Sequence, residues 1–143
     1  EVHIGDGAAF VRDDPRQWAL IAVDGFDRHA RAGALATQPF YAACRARLAA
    51  DGVLTVNLFG QLRGFKTQLQ RLRKAFDGQV LDLPECDSGN VVALASPAAA
   101  QSFDLATLKS RAANLKAATG LDLLPTLRRL EKSGACPDGS VSL

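Results

Sequence analysis

Residues Ala19–Asp27, ALIAVDGFD, decide the reading of this chain. A short apolar run opens into a loop that carries two carboxylates, Asp24 and Asp27. Apolar strands hidden in a parallel sheet end in the crevice where open α/β sheets bind small polar ligands. Asp24 stands at the mouth of that strand, so any catalytic reading rests on it. Upstream, Gly5-Asp6-Gly7 forms a second acidic turn, and its glycines allow close backbone approach. Taken singly, both motifs also admit plainer explanations: turn capping by Asp24, solvation of Asp27, an ordinary turn at Asp6.

Outward from this stretch the chain reads as alternating elements. Residues 2–4 read as the end of a strand, 8–12 as a short helix closed before Pro15, and 18–23 as a strand buried on both faces. Thr37 is the expected N-cap of a helix over 39–50, ended by Asp51-Gly52 ahead of a buried strand over 53–59. Residues 60–64 form a connection. Phe65, Leu69, Leu72 and Phe76 then recur at helical spacing and predict one apolar face. Strands over 79–83 and 90–95 form an expected antiparallel pair around a short loop. Asp104 caps a helix running to Thr119 and closed by Gly120, and a last helix starts near Pro125 and stops before Gly134. Such alternation predicts an α/β fold, with a mostly parallel sheet covered on both faces and one antiparallel strand.

Composition bounds the function. The 143 residues carry 17 basic and 15 acidic side chains, a net charge of +2 that gives no electrostatic footprint for nucleic acid. No apolar run approaches the roughly 18 residues of a membrane span. Cys44, Cys86 and Cys136 show no metal-site or disulfide spacing, and Cys44 reads as core. His3 and His29 have no ligand partners at regular spacing, so no metal is expected. Arg45, Arg47, Arg71, Arg73 and Lys74 read as solvated helix surfaces, and Asn57, at the end of an apolar strand, as a candidate for the crevice. The chain has no Met and opens on Glu-Val-His-Ile, which reads as a piece of a longer protein.

The order GDGAAFV, ALIAVDGFD, Leu35 and PFYAACRARLAADGVLTVNLFG resembles the aminopropyltransferase family, the spermidine and spermine synthases. The resemblance implies a Rossmann-like fold of the class I S-adenosylmethionine-dependent methyltransferase type, truncated in its N-terminal half. Residues 1–133 would be the C-terminal part of one transferase domain and 134–143 a flexible tail. It implies aminopropyl transfer from decarboxylated S-adenosylmethionine, a co-substrate and not a tightly bound cofactor, to a diamine. Asp24 would bind and deprotonate the attacking amine. Asp6, Gly7 and Gly25 would meet the co-substrate, and Asp27 the substrate. Tyr41, at the base of the loop, is the further substrate-binding candidate, with a core position as its alternative. The partners implied are a polyamine or other amine and a second copy of the chain, with neither nucleic acid nor membrane, in the cytoplasm. The chain alone is expected to be inactive.

The loop departs from the family's Asp-Ser-Ser/Thr-Asp-Pro. It reads Asp24-Gly25-Phe26-Asp27-Arg28, similar to a divergent bacterial synthase-like branch. Arg28 and Arg31 put cations where a polyamine would lie. They keep open a methyltransferase-like relative that uses S-adenosylmethionine on another substrate. A non-catalytic, self-associating module is the third reading.

Overall fold

Local chemistry starts and stops each element of the described residues, 1–29, 31–59 and 64–143 of a computed structural model. The Asp6 carboxylate accepts from the Ala8 and Ala9 N–H groups and starts α1 (Gly7–Asp13), which ends at extended Asp14, the residue before Pro15. Thr37 caps α2 (Gln38–Arg47), with Pro39 in its first turn. The apolar spacing of α3 (Phe65–Ala75) produces the predicted face: Leu69, Leu72 and Phe76 are buried, and Phe65 packs on the same core.

Strands β1 (Trp18–Val23), β2 (Leu48–Phe59), β3 (Val80–Asp82) and β4 (Asn90–Ala95) form one sheet in the order β1-β2-β4-β3. β1 runs parallel to β2, and β4 lies antiparallel to β2 and to β3. β1, β2 and β3 therefore share one direction and β4 opposes them, the mixed sheet expected from sequence. On one face, Leu54, Val56 and Leu58 of β2 and Val91, Ala93 and Ala95 of β4 meet Phe40, Tyr41 and Cys44 of α2 and Leu69 and Leu72 of α3. Burying each of the larger side chains contributes about 1.5–3 kcal/mol.

Three expectations for the first part of the chain are corrected. Residues 2–4 are not a strand: Val2 and Ile4 are 89% and 100% exposed, and no described strand pairs with them. β1 is not buried on both faces. It is the edge of the sheet, where Ile21 and Val23 face the core while Leu20, one step out of phase, is 60% exposed. The helix expected to reach residue 50 stops at Arg47, because Leu48 already pairs with Trp18. The register then jumps to Leu20 opposite Val53, so residues 49–52 form a bulge in β2. Of the connection expected over 60–64, residues 60–63 lie outside the described residues.

The arginines expected on solvated helix faces are instead clasps between elements. Arg45 donates to the Ala75 carbonyl and pairs with Asp77, and Arg71 donates to the Ala36 carbonyl. Arg73 pairs with Asp82.

The contacts divide the chain into two compact units, Glu1–Ala99 and Ala100–Leu143, where a single domain to residue 133 was expected. In the second unit, Asp104 caps α4 (Leu105–Thr119), and Gly120 closes it with the predicted left-handed backbone, φ 80°. α5 (Leu124–Lys132) is tied to α4 by a 2.7 Å Lys109–Glu131 ion pair. The stretch expected as a flexible tail contains β6 (Ser140–Ser142), which pairs antiparallel with β5 (Ser102–Asp104). Val141 is buried and the Gln101 and Leu143 backbones exchange two hydrogen bonds, which is what holds this segment. No helix among the described residues is long and apolar enough to cross a membrane.

Candidate functional site

The parallel register places Val23 beside Val56, so the residues that follow, Asp24 and Asn57, emerge side by side at the same end of the sheet. The Asn57 Nδ2 group donates to Asp24 Oδ1 at 3.0 Å. An ionised carboxylate only accepts, so the amide must turn its NH₂ toward Asp24. Its Oδ1 faces away, buried and without a partner among the described residues. No other described residue bonds Asp24, which is exposed. Among the described residues, one carboxylate oxygen is therefore fixed and the other has no partner.

Asp24 and Gly25 line a cleft of about 370 Å³ together with Gly7, Leu20, Leu35 and Phe40. Among the described residues of that lining, Asp24 is the one acid and Arg47 the one base. Arg47 is occupied in structure: its guanidinium donates to the Val11 and Arg12 carbonyls and ties the end of α1 to α2. Leu35 is the inner wall. A methyl group on Gly25 would stand 2.7 Å from Leu35 Cδ1, and one on Gly7 3.7 Å from its Cδ2. Gly25 thus gives Leu35 its place, whereas a methyl group at Gly7 would make only an ordinary contact with it.

Asp27 is differently employed. Its Oδ1 accepts from the backbone N–H groups of His29 and Arg31, at 2.7 and 3.0 Å. Its Oδ2 accepts the Nε–H of Arg31 at 3.0 Å, and Nη2 lies 2.9 Å from the same oxygen in an exposed ion pair. The Arg31 backbone N–H, more than its guanidinium and the His29 N–H, holds this carboxyl below the usual carboxylate range. The loop is closed on itself and pinned to the sheet by Phe26, whose ring meets Phe59 edge-on with centroids 5.1 Å apart.

Of the residues singled out from sequence, Gly7, Asp24 and Gly25 come together on the cleft. Asp6 is the cap of α1, with its Oδ1 committed to two backbone donors. Tyr41, proposed above as a substrate contact, is fully buried in the core, where burial pushes its hydroxyl up to about 12. α2 turns the neighbouring Phe40 to the cleft instead. Cys44 takes its expected place in the core, and burial raises its thiol to about 12 as well. Arg47 was not anticipated at the cleft, since nothing in its helical spacing marks it apart from Arg45. Asn57 was visible as a polar residue ending an apolar strand; its bond to Asp24 needed the register.

The fold and the site together define an α/β protein with an apolar cleft along edge strand β1, which Asp24, just past the end of that strand, also lines. Over 133 residues, 93% of its length, the chain is 33% identical to the polyamine aminopropyltransferase of Neisseria meningitidis serogroup A. Over the same extent it is 29% identical to that of Chromobacterium violaceum. A stretch of 58 residues is 40% identical to the polyamine aminopropyltransferase of Nitrosomonas europaea. No family model matches the sequence. The chain is thus related by sequence to the polyamine aminopropyltransferases, the family its motifs resemble, and it spans 51% of the length of the first two relatives.

Proposed function

We propose that this chain carries the amine-holding part of an aminopropyl-transfer site, with Asp24 as its base. The observation that carries the reading is the Asn57-oriented Asp24 carboxylate at the mouth of the cleft. In this reading Asp24 accepts hydrogen bonds from the acceptor amine and aims its nitrogen lone pair. The nitrogen bonds to the carbon next to the sulfonium of decarboxylated S-adenosylmethionine as that carbon–sulfur bond breaks. Methylthioadenosine leaves, and the proton lost by nitrogen passes to Asp24 or to water. The apolar lining of Gly7, Leu35 and Gly25 suits a flat group such as adenine. The direction shared by β1, β2 and β3, with β4 opposed, supports a Rossmann-like sheet of the methyltransferase type.

Incubation with decarboxylated S-adenosylmethionine and a primary amine tests this. Methylthioadenosine that accumulates with the native sequence and not with Asp24→Asn supports the reading. S-adenosylhomocysteine formed from S-adenosylmethionine, without methylthioadenosine, would point to methyl transfer instead.

One observation favours a second reading, self-association. Edge strand β1 reads WALIAV, with no charge or proline to block pairing, and Leu20 is exposed on it.

A further inference from the structure

Strand β1 has no neighbour on its outer side among the described residues, and Ala19, Leu20 and Ala22 on it are exposed. A second copy meets this edge in a closed pair about a two-fold axis normal to the sheet, which makes the like strands antiparallel. Opposed residues of an antiparallel pair point to one face of the sheet, and this axis keeps the faces. It must therefore pass through a residue position and not between two. Charge decides which one. Asp24, just past β1, would face Asp14 of the second copy with Ala19 on the axis, Trp18 with Ile21 there, and Leu20 with Ala22 there. With Leu20 on the axis it faces Arg16, an opposite charge. The Arg16 guanidinium lies over the Trp18 ring, 4.5 Å from its centroid, and holds Asp14 through Nε and Nη2. Its Nη1 has no partner among the described residues, and neither has the second carboxylate oxygen of Asp24. This register also sets Leu20, 60% exposed in the single chain, against its own symmetry mate.

We infer that β1 takes β1 of a second copy of this chain, antiparallel, with Leu20 on the two-fold axis and Asp24 of each copy against Arg16 of the other. The two sheets then continue into one, closed at both ends of the new strand pair by the same charge contact. This rests on the reading of self-association and adds its register and its contacts.

Oxidative cross-linking of cysteine variants tests the pairing, in a chain carrying Cys86→Ser and Cys136→Ser so that only the buried Cys44 remains. Opposed Cα atoms of an antiparallel pair lie about 4.5–5.5 Å apart, within disulfide reach. Leu20→Cys should therefore give a reducible dimer. Ala22→Cys should not, because its two copies would stand about 13 Å apart along the strands. Sedimentation reads the charge contacts: Arg16→Glu and Asp24→Lys should each raise the dissociation constant roughly three- to tenfold, and the double variant should recover most of the loss. A native chain that associates while Leu20→Cys gives no cross-link, or while Ala22→Cys cross-links equally well, overturns this pairing and leaves self-association standing. A double charge reversal as weak as either single one overturns it too. A native chain that stays monomeric at high concentration overturns self-association and this inference with it.

Discussion

At Asp24, the decisive contact is one hydrogen bond between neighbouring strands. Asn57→Leu removes the donor and keeps the size, so Asp24 should lose its fixed orientation. We expect amine affinity to fall roughly ten- to a hundredfold, the scale of one hydrogen bond to a charged group, with Asn57→Gln recovering part of it. Asp24→Asn, which removes the base itself, should lower transfer by about 10²–10⁴-fold; turnover by initial rate is the measurement. Sequence showed both residues as polar ends of apolar strands. The two roles of Asp24 and Asp27 were not legible there, because which acid stays open depends on where Arg31 folds back. A second residue-scale prediction concerns acid. Asp14, bonded by the side chain and backbone of Arg16, has its carboxyl lowered from 3.8 to about 2, and Asp27 moves in the same direction. A folded-state value below the unfolded one stabilises above the unfolded pKa and is lost as protons bind. Thermal melts should therefore show stability present above pH 3.8 and falling toward pH 2, with a smaller fall in Asp14→Asn.

Among the elements, β2 shows where local reading stops working. Residues 48–50 continue a helical pattern in sequence, yet Leu48 pairs with Trp18 and the strand bulges before it regains register at Val53. Pairing with β1 overrides propensity here, and nothing within the segment announces it. Gly52 is what the bulge requires: a Cβ there would lie 2.8 Å from the Trp18 carbonyl oxygen and 3.1 Å from Ala49 backbone atoms. Backbone cannot yield as a side-chain tip does. Gly52→Ala should cost about 1–3 kcal/mol, read as a lower denaturant midpoint with an unchanged slope. Where caps and spacing are strong, sequence and structure agree closely. Asp104 and Gly120 bound α4 as expected, and the Phe65–Phe76 spacing placed the buried face of α3. The arginine clasps of α2 and α3 were invisible, since a helix face says nothing of the carbonyl opposite it.

Across the whole chain, the sheet ends at β1 on an apolar strand. Concentration-dependent sedimentation should show association of the native chain, and Leu20→Glu, which adds a charge to the exposed face of that edge, should return it to monomer. A native chain that stays monomeric at high concentration would remove that reading and leave the amine site untouched. The order of alternating elements was enough to expect a mixed α/β sheet. The division at Ala99 and the strand at 140–142 were not legible, because both depend on partners distant in sequence. The central claim remains that Asp24, set by Asn57, holds an amine. Its most direct test is the side-chain NH₂ signal of Asn57, followed by ¹⁵N-resolved NMR as a primary amine is added to the native chain. The account predicts a saturable shift of that signal that disappears in Asp24→Asn. An Asn57 signal that stays still while amine binds elsewhere would contradict it.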